Sequence, residues 1–175
     1  MARHLVIGNG KMLLNLDNHC FIRDIYYPYV GQLNHVGGQT CRFGIWAAGR
    51  FAWLDDPGWK FELDYIEGTL VTNVRATNES LGVQLHLNDG IHQRECIYIK
   101  RVVVRNLAGE PREFRLFFHQ DLMIDGTEVG DTAAYFPENH TLFHYKRSSY
   151  FMFNGFSDEG GIMQYSTGIK RFHSA

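Results

Sequence analysis

Leu81-Gly82-Val83-Gln84-Leu85-His86-Leu87-Asn88 sets four apolar side chains at odd positions against small or polar ones at even positions. A period of two puts the leucines and the valine on one face of a strand, toward a core, and leaves Gln84, His86 and Asn88 on a wet face. Working toward the C-terminus, residues 96–105 are more continuously apolar, with Val102, Val103 and Val104 β-branched in succession, which predicts a central strand covered on both faces. Asn106-Leu107-Ala108-Gly109-Glu110-Pro111 breaks that run. Residues 113–122 resume it with Phe114, Leu116 and Phe118 on one side, so the two runs read as the longest hairpin. Further strand-like runs follow at 133–136, 142–146, 150–156 and 162–169, separated by turn sequences such as Pro137-Glu138-Asn139 and Asp158-Glu159-Gly160-Gly161.

Toward the N-terminus the same grammar holds. Trp59, Phe61, Leu63 and Tyr65 alternate with Lys60, Glu62 and Asp64, after the strong turn Asp55-Asp56-Pro57-Gly58. Residues 42–46 and 51–53 flank Ala48-Gly49 as a hairpin. Leu5-Val6-Ile7, closed by Gly8-Asn9-Gly10, pairs with a run at 12–16, and a third strand at 20–25 follows the turn Asp17-Asn18. No window of a dozen residues keeps apolar residues at i, i+3, i+4 and i+7, and 18 glycines punctuate the chain. The fold class is therefore all-β, an antiparallel β-sandwich formed by residues 1–175 as one domain.

Those first three strands deliver Arg23-Asp24-Ile25-Tyr26-Tyr27-Pro28-Tyr29-Val30-Gly31-Gln32-Leu33-Asn34-His35. Pro28 fixes its own φ and holds Tyr27 extended, so a strand breaks into a shaped loop crowded with aromatic and polar tips. Tyrosine rings offer stacking faces, and the amides of Gln32 and Asn34 offer hydrogen bonds, a pairing that suits a sugar ring. Tyr26, Tyr27, Tyr29, Gln32, Asn34 and His35 are the candidate substrate-binding residues. Trp46, Phe51, Trp53 and Trp59 could stack on sugars too, although aromatic residues at strand period ordinarily fill cores.

A formal net charge of −2 with scattered Lys and Arg gives no basic patch for nucleic acid. No apolar run reaches the length of a membrane helix, and the N-terminus lacks a signal-peptide core, so a cytoplasmic, non-membrane protein is expected. Three widely spaced cysteines, Cys20, Cys41 and Cys96, read as reduced and mostly buried thiols. Nine histidines raise the question of metal, densest at His19, Cys20, His35 and Cys41, but close ligand spacing is lacking; no metal and no cofactor are expected. The carboxylate pairs Asp55-Asp56, Asp158-Glu159 and Glu62 with Asp64 lie in turns or on a wet strand face, so none is taken as catalytic.

Ile7-Gly8-Asn9-Gly10, then Leu14-Asn15-Leu16-Asp17, then the run from Ile22 through the tyrosine loop to His35 resemble the start of prokaryotic glucoamylase-type enzymes, the glycoside hydrolase family-15 proteins. The resemblance implies a β-sandwich of the galactose-mutarotase-like supersandwich kind. In that family it precedes an (α/α)6 barrel that carries both catalytic glutamates and hydrolyses α-glucosidic bonds with inversion. Set against that pattern, the sequence is expected to end, at Ala175, before any such barrel and before the last strands of the sandwich. The resemblance thus implies a non-catalytic N-terminal domain that packs on the barrel and helps shape its cleft, with the loop facing the barrel. The chain alone is expected to hydrolyse neither maltooligosaccharides nor trehalose. Two alternatives stay open: a stand-alone carbohydrate-binding module, and a mutarotase-like sugar epimerase, which would need a histidine base and a carboxylate in one cleft. An interrupted sandwich would also leave strand edges uncovered, which favours homo-oligomers.

Overall fold

The computed structural model describes residues 4–39 and 41–168, and among them it contains strands and two short 3₁₀ turns but no α-helix. The first sheet is a meander of β1 (Leu5–Gly8), β2 (Leu13–Leu16) and β3 (Ile22–Tyr26). β4 (Arg42–Ala47) pairs with β5 (Arg50–Trp53) in a hairpin. β6 (Trp59–Tyr65), β7 (Thr72–Asn78), β8 (Val83–Ile91) and β9 (Tyr98–Asn106) form a four-stranded antiparallel sheet in sequence order. β10 (Phe114–His119) joins β4 on the side away from β5, and β11 (Thr132–Phe136), β12 (Thr141–Lys146) and β13 (Ser149–Phe153) make a last meander. The chain is an all-β antiparallel sandwich.

Alternation along β8 works as its residue types dictate. Val83, Leu85 and Leu87 are 0% exposed, while Gln84, His86 and Asn88 stay half-buried on the opposite face. They meet Ile7, Leu14 and Leu16 of the first sheet and Phe43, Ile45 and Leu54 of the β4–β5 region in one hydrophobic core. Each fully buried aliphatic side chain of this kind contributes about 1.5–3 kcal/mol. Trp59, Phe61, Leu63 and Tyr65 lean on the rim of that core from β6.

Four expectations change. β9 is an edge strand with one open side, and its burial alternates instead of being complete. Its inward face carries Lys100, whose Nζ lies 2.7 Å from Asp89, a carboxylate with no exposure that also accepts from Thr72 Oγ1 at 3.1 Å and from the Tyr98 hydroxyl. Burial and the neighbouring carboxylate push the Tyr98 phenol well above its ordinary value. The predicted hairpin over 96–122 does not form either: β9 pairs with β8, and β10 crosses to β4, with Phe114, Leu116 and Phe118 opposite Ala47, Ile45 and Phe43. Arg112 donates to Asn106 Oδ1 at 2.8 Å and to the Gly82 carbonyl, anchoring the crossing. β7 is a strand that the pattern did not announce, because its inward residues Thr72, Val74, Ala76 and Asn78 are small or polar. Finally, residues 162–168 form no strand, and Ile169 lies outside the described residues. Of the thiols, Cys20 and Cys41 are buried, whereas Cys96 is exposed.

Candidate functional site

The tyrosine loop is held at its base by a carboxylate clamp. Asp24, on β3, accepts from Asn34 Nδ2 at 2.6 Å, from Asn15 Nδ2 at 2.8 Å and from Arg23 Nε at 2.7 Å. Burial alone would raise the Asp24 carboxyl, but those hydrogen bonds and the guanidinium charge outweigh it and hold it below the usual carboxylate range. Asn34 Oδ1 in turn accepts the Ile25 and Val36 backbone N–H groups at 3.2 and 3.0 Å. A bridge between Tyr26 and Asn34 closes the loop, and Gly31 takes the left-handed φ of 84° that its turn requires.

His35 is the deepest member of the loop, 1% exposed. Its Nε2–H donates to the Tyr27 carbonyl at 2.6 Å, which leaves Nδ1 to accept the Asp125 backbone N–H at 3.2 Å. Its own backbone bonds Ile25 O at 2.8 Å and receives Met123 N–H at 2.7 Å. The Phe151 ring of β13 packs 4.9 Å from the imidazole. One side chain thereby ties the loop to the first sheet, the turn at Ile124–Gly126 and the last sheet. Lys146 secures that same turn from β12, donating to the Ile124 and Thr127 carbonyls at 2.8 and 2.5 Å.

The six loop residues therefore divide. Asn34 and His35 spend their polar groups inward, Tyr26 and Tyr27 are half-buried, and Tyr29 and Gln32 stand exposed at the tip, Tyr29 to 65%. Beside the tip, Val30 borders a shallow groove floored by Val6, Met12, Leu13, Tyr65 and Leu70, with no charged side chain in its lining.

A second aromatic surface lies on the outer face of the β10–β4–β5 sheet. Register puts Trp46, Phe51, Trp53, Phe117 and His119 on the side opposite the buried Phe43, Ile45 and Ala52. Phe51 meets Trp53 at 4.8 Å and Phe117 at 5.1 Å, both edge-on, and the Arg115 guanidinium lies 4.9 Å over Trp46. Gly44 sits beneath: a Cβ there would come within 2.7 Å of both the Phe51 and Trp53 rings, so the strip closes only over glycine. Arg42 and Asp55, 3.7 Å apart, add charge at its margin. The sequence offered the tryptophans and Phe51 for sugar stacking, but Phe117 and His119 came from pairing with β10, which strand order alone does not reveal. Trp59 instead donates its indole N–H to the Trp53 carbonyl at 2.9 Å and leans on the core rim.

The carboxylates read as solvated are exposed: Asp55, Asp56, Glu62, Asp64, Asp158 and Glu159. Among the described residues no three His, Cys, Asp or Glu side chains gather to hold a metal ion, and His19 packs on Phe21 and Phe61 instead. No described helix is long and apolar enough to cross a membrane.

Over 133 residues, 76% of this chain, the sequence is 22% identical to an uncharacterized glycosyl hydrolase of Methanocaldococcus jannaschii. The aligned part is 21% of that protein, so the chain spans about a fifth of the length of the curated relative it matches. No family model and no solved structure matches the chain.

Proposed function

We propose that this chain is the non-catalytic N-terminal β-domain of a glucoamylase-like glycoside hydrolase, of the supersandwich kind, packing on an (α/α)6 barrel that hydrolyses α-glucosidic bonds with inversion. The observation that carries the reading is the similarity to one fifth of a glycosyl hydrolase. Strands that form, among the described residues, an antiparallel sandwich are suited to flank a catalytic domain. The loop at 26–35 faces the barrel and helps wall the cleft. Within it Tyr29 and Gln32 reach the sugar, while Asn34 and His35, with Asp24 on β3, hold the loop in place. In the full-length enzyme, Tyr29→Ala and Gln32→Ala lower kcat/KM for glucan several-fold at unchanged Tm; full activity in both refutes the assignment.

A second reading, a carbohydrate-binding module, draws on one specific observation: the strip Trp46, Phe51, Trp53 and Phe117 faces solvent, not the core. Sugar C–H faces stack on such rings. Calorimetric titration of the isolated chain with maltose and longer glucans separates the readings. A module binds unaided and loses binding in Trp53→Ala, whereas a flanking domain shows no heat beyond dilution.

A further inference from the structure

We infer that the open edges of the four-stranded sheet, β6 and β9, pair with each other between copies of this chain, so that successive molecules share one continuous antiparallel sheet. An unpaired strand edge is a row of free donors and acceptors, and what matters is which edge fits it. The outer face of β9 carries Arg101 and Arg105. The Arg105 guanidinium makes no polar contact among the described residues, and that of Arg101 reaches only Asn88 Oδ1, at 3.4 Å. The outer face of β6 carries the complement: Glu62, 78% exposed and loosely 3.6 Å from Arg75, and Asp64, exposed with Oδ1 turned back on the Tyr65 backbone N–H at 2.8 Å.

The backbones are in phase. Beyond the strand ends, Leu107 N–H bonds Gly82 and His92 N–H bonds Ile97, so odd residues of β9 face β8 and even ones face the open edge. Likewise Ile66 N–H bonds Val71, so even residues of β6 face β7 and odd ones the open edge. An antiparallel register that bonds Phe61 to Asn106, Leu63 to Val104 and Tyr65 to Val102 satisfies both rows. It places Glu62 directly opposite Arg105 and Asp64 opposite Val103, diagonal to both arginines, while Leu63 and Val104 meet on the inner face. Asp64 then releases the Tyr65 N–H to a carbonyl across the edge. Like edges serve less well: β9 against β9 gathers the arginines of both copies with no carboxylate, and β6 against β6 at full overlap brings Lys60 opposite Asp64 but sets Glu62 on Glu62 and leaves the arginines of β9 unmatched. The contact is heterologous, so it propagates.

Sedimentation velocity of the full chain over a range of concentrations tests it, in low salt and in about 1 M salt, where charges are screened beyond roughly 3 Å. Wild type gains sedimentation rate with concentration in low salt and returns toward monomer in high salt. The swaps Arg101→Glu/Arg105→Glu and Glu62→Arg/Asp64→Arg, all at exposed positions, each weaken association at least ~tenfold, and an equimolar mixture of the two variants re-associates. A wild type that stays monomeric throughout, association indifferent to either swap, or a mixture that stays monomeric overturns the inference.

Discussion

Replacing His35 by alanine separates a loop built to touch ligand from one built into the fold. The imidazole is 1% exposed and makes two hydrogen bonds, to the Tyr27 carbonyl at 2.6 Å and from the Asp125 N–H at 3.2 Å, besides packing on Phe151. Stripping either partner from a buried group costs about 1–3 kcal/mol, the lower end applying where, as at Tyr27 and Asp125, the neighbour is half-buried and water can reach it. Loss of the ring adds a cavity against Phe151, so His35→Ala should destabilise by about 3–4 kcal/mol in total. For a domain of this size that corresponds to a fall in Tm of roughly 6–16 °C. His35→Phe keeps the ring volume and drops only the hydrogen bonds, and should lose about 2 kcal/mol. Urea denaturation followed by tryptophan fluorescence measures both. If His35→Ala stays within about 0.5 kcal/mol of wild type, the imidazole is not the tie described, and its place among ligand-facing residues reopens.

Two further outcomes follow from the clamp and the thiols. Asp24 is held below its ordinary value of 3.8, so its hydrogen bonds stabilise the native state above that pH and are lost as pH falls through the lower native value; the stability difference between wild type and Asp24→Asn, measured by urea titration, should shrink steadily below about pH 4 and a gap that stays constant to strong acid excludes the clamp. Cys20, pushed up from 9.0 to about 12 by burial, contributes stability that is lost as pH rises from 9 toward 12, and at neutral pH only the exposed Cys96 should react quickly with a thiol reagent, Cys20 and Cys41 reacting after denaturant is added; fast labelling of more than one thiol in the native protein contradicts that packing.

Strands whose two faces differ in polarity are legible from the residues alone. β8 and β6 announce themselves because alternation of Leu or Trp with Gln or Lys is a local pattern, and local patterns need no knowledge of partners. The turns at Gly10 and Gly58 likewise follow from the φ freedom of single glycines, at 87° and 100°, whereas in the turn after Asp17 the left-handed residue is Cys20, which no residue preference announced. β7 escaped the same reading because Thr72, Val74, Ala76 and Asn78 bury small or polar groups, a choice permitted only by what lies above them. The triple valine of β9 implied full burial, yet a β-branched run specifies extended backbone without specifying how many sheets cover it.

Pairing across long separations is where sequence stops. Whether β10 folds back on β9 or crosses to β4 depends on competing surfaces of similar apolarity, and the decision created the aromatic strip over Gly44 that neither strand displays alone. The sequence singled out the loop at 26–35 from its proline and tyrosines, since those residues shape a backbone by themselves. It could not tell the imidazole of His35 from the ring of Tyr29. One is sealed beneath Phe151, 116 positions away in the chain (151 − 35), and the other points to water. Burial is a property of the neighbours a residue meets after folding, and only the assembled sheets supply them.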